Sequence, residues 1–431
     1  MFDLRPLRSA TFRHLAAAYW VNEFGNWIGE IALTILVYDR TRSPLETAAL
    51  FLSMRFLPAL LAPLVTIRVE AMHTRRVLTI AYLLEAAFFA GMAGVAERFS
   101  LPALFILCVL DGALAITAKA LTRSATANLL LQQDMLREGN GILNLGAMAS
   151  LAGAPMIAAV LVAWKGAQNA LLVDVGTFLL TALIVVSAGG IYVESDRAAG
   201  FSGRLRSGLD VLRQRSVIRR LFYAVGLTML LGAVPIPIEV VFAKHTLHAG
   251  DYGYGVLLGA WGCGMVIGGT IFATAKETRL VAVFIVGTLL TALGYGALAA
   301  APTLALACAG SAIGGLGNGG SWVAAVTAVQ ERIPIDTQSA VMAVLESMNQ
   351  MLPALGFVVG GVVTALASPR TAYAIAAGGV ALVVVAFTVR PIDRIPLDAP
   401  LALPTGEVGH RDLKDPGASA RSSASPTITI G

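Results

Sequence analysis

The sequence predicts an all-α polytopic membrane protein with twelve transmembrane helices arranged as two six-helix, pseudo-symmetric halves. Three observations predict it. The 431 residues are 57% apolar and only 13% charged, where soluble chains average roughly 25% charged. The charges are clustered, and the apolar gaps between clusters reach the about 20 residues that a bilayer-crossing helix needs. The gaps also exceed a strand's length and lack period-2 alternation, which argues against a transmembrane barrel.

Taken in order, each apolar run is bounded by charge. The first half spans 14–38, 44–67, 77–95, 101–121, 142–164 and 170–192. Arg40 and Arg42 separate the first two runs, and Arg68, Glu70, His73, Arg75 and Arg76 separate the second from the third. Arg98 follows the third run, Arg123 and Arg137 lie between the fourth and fifth, and Lys165 precedes the sixth. The second half spans 221–242, 254–274, 280–300, 303–326, 340–366 and 372–389. Lys244, then Lys276 and Arg279, then Arg332 and Arg370 mark its turns. The expected division is 1–192, a basic central loop at 193–220 containing a short surface helix, 221–390, and a tail at 391–431. The tail's "ASARSSASPTITIG" is too polar to pack and reads as disordered.

Charge placement fixes an expected orientation. With the N-terminus in the cytoplasm, 23 of the 31 Lys and Arg fall on that side, 6 fall outside and 2 lie within spans. The positive-inside rule therefore puts both termini in the cytoplasm. It also gives the net charge of +5 a topological meaning, so no nucleic-acid partner is expected. The start is basic, but its apolar run continues too far and lacks a cleavage site, so no cleavable signal is expected. Cys108, Cys263 and Cys308 sit within apolar runs as small buried hydrophobes, with no metal or disulfide spacing. No cofactor or metal is expected.

Two six-helix halves joined by a basic loop resemble the major facilitator superfamily, over about residues 10–390. "NEFGNWIGEIALTILVYDRT" resembles the opening of its drug-efflux branch, which includes macrolide and siderophore exporters. "AVQERIPIDTQSAVMAVLESMNQM" resembles the same branch's passage into helix 11. "AITAKALTRSATANLLL" is similar, less closely, to bacterial lysophospholipid transporters. In the 2–3 loop the superfamily carries G-x-L-A-D-R-x-G-R-R. Here Thr66 and Arg68 stand at the Gly and Leu positions, and Glu70 and Ala71 at the Asp and Arg positions. His73 and Thr74 replace the second Gly and the next Arg, while Arg75 keeps the last Arg and Arg76 adds another. The resemblance implies a cytoplasmic gate in which Glu70 meets a helix N-terminus and Arg123. The alternative is an ordinary positive-inside loop. "GAMASLAGAPMIAA" resembles the antiporter motif, with Ala154, Pro155, Ala158 and Ala159 at its core; generic helix packing explains it nearly as well.

Ionisable residues inside spans are functional hypotheses by default. Glu23, Asn26 and Glu30 share one face of helix 1 at about 100° per residue. In the family's fold that helix lines the cavity, so Glu30 is the preferred proton or cation carboxylate, against a salt bridge or a headgroup contact. Arg55 in helix 2 and Glu85 in helix 3 lie at comparable depth, giving either a buried pair or a transport role. Asp111 and Lys119, eight apart in helix 4, share a broad face. There Asp111 would couple protons and Lys119 would neutralise it or meet an anionic headgroup; a structural pair is the alternative. Glu239 ends "VPIPIEV", whose prolines suggest a bent segment. Asn318 lies in "GGLGNGGSW" with Trp322 one turn on, and Glu346, Asn349 and Gln350 share a face of helix 11. Trp261 is either a cavity or a lipid-facing aromatic.

The expected function is proton-driven export of amphiphilic small molecules by a monomer in the bilayer, working by alternating access. A lipid or lysophospholipid flippase and a non-transporting membrane sensor or assembly partner are the alternatives. An enzyme is disfavoured: none of the five histidines lies deep in a span, and no H-E-x-x-H, G-x-S-x-G or Walker sequence appears.

Overall fold

The computed structural model describes residues 5–69, 72–131, 135–189, 201–214, 216–273, 280–333 and 335–389. Residues 1–390 form one compact unit, and the tail expectation at 391–431 lies outside the described residues. Twelve helical segments follow in chain order. The first six are α1 (Ala10–Thr41), α2 (Pro44–Phe51, Leu52–Phe56 and Leu57–Val69), α3 (Thr74–Arg98), α4 (Leu101–Leu131), α5 (Leu136–Lys165) and α6 (Ala167–Ser187). The second six are α7 (Ser216–Gly232, Ile236–Ile238, Glu239–Val241 and Phe242–Thr246), α8 (Gly250–Ala273), α9 (Leu280–Ala300), α10 (Leu304–Arg332), α11 (Ile335–Leu366) and α12 (Pro369–Val389). The short helix expected in the central loop is Phe201–Gln214.

Among the described residues, ten of the twelve are long and apolar enough to cross a membrane. The other two, α1 and α10, fall short for a legible reason. Asn22, Glu23, Asn26 and Glu30 dilute α1, and six glycines with Asn318 dilute α10. Large apolar side chains such as Leu183, Leu293 and Leu382 stand exposed around the bundle, as a lipid-facing belt requires.

Local chemistry sets the ends. Ser9 accepts a hydrogen bond from the Phe12 N–H at 3.3 Å, and Ser43 accepts one from the Glu46 N–H at 3.3 Å, with Pro44 in the first turn. Arg42 closes α1 in a left-handed conformation (φ 54). Helix limits and turns differ from the sequence expectation at several places. Helix α4 runs ten residues past 121, because Arg123 and Asn128 lower hydropathy without breaking a helix. Helix α7 begins at Ser216, inside the expected loop, and breaks at Ala233–Pro235 before its Pro237 turn. Helix α2 contains a π-helical turn at Leu52–Phe56.

Small residues let α10 lie against both neighbours. A Cβ at Gly287 of α9 would stand 2.7 Å from the Gly317 carbonyl, and one at Gly264 of α8 would stand 2.8 Å from the Leu316 nitrogen. This settles the glycine-rich stretch of α10 as a close-packing surface.

The two halves meet unevenly. On the side away from the termini one core is shared: Ile31, Ile35 and Leu36 of α1 belong with Val240, Phe242, Tyr254 and Tyr373 of the second half. Phe51 of α2 also meets Phe357 of α11 there, with ring centroids 5.5 Å apart. On the terminal side the cores separate. Phe12, Tyr19, Leu130 and Ile142 form one cluster, and Phe222, Phe284, Val344 and Leu345 form another. The bundle is therefore closed on the far side and parted on the terminal side.

Candidate substrate and coupling sites

The charges of α1 are paired across the helix gaps. Arg55 Nη2 donates to both Glu30 oxygens, at 2.8 and 2.7 Å. Arg55 sits in the π-helical turn of α2, a device common at functional sites. Lys119 Nζ lies 2.6 Å from Glu23 Oε1 and 5.8 Å from the Tyr19 ring centroid. Both pairs correct the sequence expectation. Arg55 does not pair with Glu85, because equal depth on two helices does not fix the face that each turns. Lys119 does not neutralise Asp111, because eight residues along one helix separate them by about 12 Å. Each cation takes the carboxylate on neighbouring α1 instead.

The second half contributes a largely buried aromatic cluster beside this pair. Trp261 of α8 stacks on Tyr295 of α9, with centroids 5.3 Å apart and planes 17° apart. Tyr295 lies 6.1 Å from Tyr373 of α12, and its hydroxyl donates to the Gly232 carbonyl at 2.7 Å. Tyr254 of α8 stands within electrostatic reach of Glu30, Arg55 and Glu239. Tyr254, Tyr295 and Tyr373 carried no signal in the sequence, since a buried aromatic and a lipid-facing one read alike in a span. Trp261 is placed in this cluster.

The remaining candidates are scattered. Asn26 donates to Asn22 Oδ1 at 3.2 Å. Asp111 is half-buried with an unpartnered oxygen, Oδ1. Asn318 is half-buried on α10, and Trp322 packs against the terminal-side core of the second half. Glu346 is exposed and accepts a hydrogen bond from Gln350 at 3.2 Å.

On the terminal side Glu70 lies outside the described residues. Arg75 donates to the Ala188 carbonyl at 3.3 Å, tying α3 to the end of α6, and Arg76 is exposed. Arg123 donates to the Tyr19 hydroxyl at 3.3 Å and stands within electrostatic reach of Glu346 in the other half. Within the antiporter-like segment, a Cβ at Gly255 of α8 would stand 2.6 Å from the Pro155 carbonyl, so these residues form the α5–α8 contact between the halves.

On the far side sequence reading missed an ion cluster. Lys244 Nζ lies 2.5 Å from Asp39 Oδ1 and 2.5 Å from Asp251 Oδ1. Asp39 ends α1, Lys244 sits in the π-helical last turn of α7, and Asp251 opens α8. The His245 ring meets Tyr38 edge-on at 5.5 Å, beside Arg42 at 3.5 Å. The signal available was an acid at the end of α1 and a lysine at the end of α7, invisible until the halves are placed together.

These features define a multi-pass membrane protein built of two helical halves. Residues 220–420 match the family model described as Major Facilitator Superfamily. A search of curated proteins finds no match. Among solved structures, the nucleoside transporter NupG is similar with a TM-score of 0.71 at 14% identity, covering 88% of this chain and 99% of that one. A bacterial homologue of the iron transporter ferroportin, in its inward-facing state, gives a TM-score of 0.67 at 15% identity, covering 90% and 99%. A bacterial homologue of the human lysosomal transporter Spinster, inward-facing and unoccupied, gives 0.62 at 13%, covering 88% and 95%. At these identities the likeness is one of fold.

Proposed function

We propose that the chain is a secondary active transporter, not an enzyme, exporting amphiphilic small molecules across the cytoplasmic membrane by proton-driven alternating access. The observation that carries this reading is the meeting of opposites at the junction of the halves. The Glu30–Arg55 pair of α1 and α2 faces the Tyr254 side of an aromatic wall formed with Trp261, Tyr295 and Tyr373. The tyrosines are buried in the closed core; once the halves part there, a cargo with a charged or polar end and a broad apolar body suits both faces, whereas a sugar needs many more polar partners. The positive-inside count makes the parted terminal side the cytoplasmic one, from which an exporter loads. Export then requires the far-side Lys244 cluster to open and the terminal side to close. The transporter works as a monomer, with protons as its coupling partner.

Glu30 is engaged by Arg55, while Asp111 keeps an unpartnered oxygen, so coupling falls to Asp111 with Glu30 as its cavity counterpart. Pure protein in proteoliposomes, given a pH jump and a panel of amphiphilic cations, anions and zwitterions, tests the reading. Wild type is expected to export at least one compound with dependence on the gradient. Glu30→Gln and Asp111→Asn are expected to abolish that dependence; export like wild type by both would remove the coupling assignment.

A lipid or lysophospholipid flippase is the second reading. It is favoured by an apolar crevice of about 110 Å³ between α2, α3 and α4, lined by Val65, Met72, Ile80, Leu84 and Leu114. Inward movement of labelled lysolipid would decide for it.

A further inference from the structure

Three acidic side chains in the interiors of the first six helices have no cationic partner among the described residues. Glu85 of α3 and Asp174 of α6 are both 0% exposed, and Asp111 of α4 is half-buried. Both oxygens of Glu85, Oδ1 of Asp111 and Oδ2 of Asp174 lack any hydrogen-bond partner. Glu85 stands within electrostatic reach of Asp111 and Asp174, and Asp111 within reach of Asp174. The two cations embedded in this half are committed elsewhere, Arg55 to Glu30 and Lys119 to Glu23.

Every helix around the three acids supplies neutral groups. Tyr82 of α3 neighbours Glu85 and shares a hydrogen bond with Thr122 of α4 at 3.4 Å. Cys108 of α4 neighbours Asp111 and lies near Ser53 of α2. Thr177 of α6 donates to Asp174 Oδ1 at 2.6 Å. From α1, Gly25 and Gly29 lie against the Asp174 carboxylate, and Glu23, held by Lys119, stands within electrostatic reach of Tyr82. Among the described residues no three His, Cys, Asp or Glu side chains converge as a metal ion requires. An ionised carboxylate buried without donor or counter-charge is costly, and a proton removes that cost. The ligand that this arrangement takes is therefore the proton.

We propose that Glu85, Asp111 and Asp174 form a proton-binding site inside the N-terminal half, set apart from the central cavity and joined to it through α1. The link is direct. Gly25 and Gly29 contact Asp174, and the same helix carries Glu23 and Glu30 with their ion pairs. Loading or releasing a proton changes the charge packed against α1, and with it the balance of that helix between two positions. The coupling role rests on the proton-driven reading above; the site itself does not.

Infrared difference spectroscopy of the full chain in lipid nanodiscs, stepped through pH, reads protonated carboxyl groups directly and needs no substrate. Wild type is expected to show a protonated-carboxyl C=O signal that titrates. Glu85→Gln and Asp174→Asn are each expected to lose part of it. Asp111→Asn, at a half-buried position that tolerates change better, serves as a third variant, and each is scored only as a monodisperse protein. A titration unchanged in all three, or absent from wild type, would overturn the site. A titration that follows the three acids beside transport indifferent to the pH gradient would uphold the site and overturn the proton-driven reading instead.

Discussion

Arg55 and Glu30 illustrate what one residue decides inside a bilayer. Neither is comfortable alone, and each makes the other tolerable. Arg55→Met leaves the Glu30 carboxylate without its donor. Because the Arg55 side chain is 40% exposed, the loss is screened. A fall in stability of about 1–2 kcal/mol is expected, read as a lower Tm in detergent. Adding Glu30→Leu should restore most of the Tm but not transport; a double variant as unstable as the single one would show that the pair is not the source. Gly29 is the second decisive residue. Its missing side chain leaves room for the Phe89 ring and the Asp174 carboxylate. Gly29→Val should overpack the α1–α3–α6 contact by roughly 1–3 kcal/mol, measured the same way.

Between elements, charges tie the far side together and lie within electrostatic reach on the terminal side. On the far side α1, α7 and α8 are held together by Lys244 between Asp39 and Asp251. Lys244→Met removes charge-assisted bonds worth roughly 1.5–3 kcal/mol and leaves two carboxylates facing each other. The variant should populate the state open on the far side, seen as faster labelling of a cysteine placed at Leu36, buried in the shared core. On the terminal side Arg123 of α4 and Glu346 of α11 are within electrostatic reach but belong to separate halves. They would approach when that side closes. Arg123→Glu should slow transport several-fold by like-charge repulsion, and adding Glu346→Arg should recover it. Failure of the swap to recover activity would leave Arg123 with only its Tyr19 contact.

At the scale of the molecule, the asymmetry between one shared core and two separate ones defines the conformation. A cycle must exchange them. With spin labels at Ser124→Cys in the first half and Tyr223→Cys in the second, on a background lacking Cys108, Cys263 and Cys308, substrate should shorten the terminal-side distance. Both positions are exposed on the terminal side of their helices. A distance unmoved by any exported compound would argue against rocking of the halves.

The sequence by itself determined the membrane class, the twelve helices and the sidedness expected of the loops. Hydropathy and charge are summed over about 20 residues, so single errors average out. It also marked Glu23, Glu30, Arg55, Asp111 and Lys119, because an ionisable residue stands out in an apolar run. What it could not give was partnership. Arg55 chose Glu30 over Glu85, and Lys119 chose Glu23 over Asp111, because pairing depends on the rotation of each helix about its axis. The tyrosines of the aromatic wall and the far-side Lys244 cluster stayed hidden for the same reason. Depth is written along one chain segment; which face looks inward, and at whom, is decided only when the helices pack.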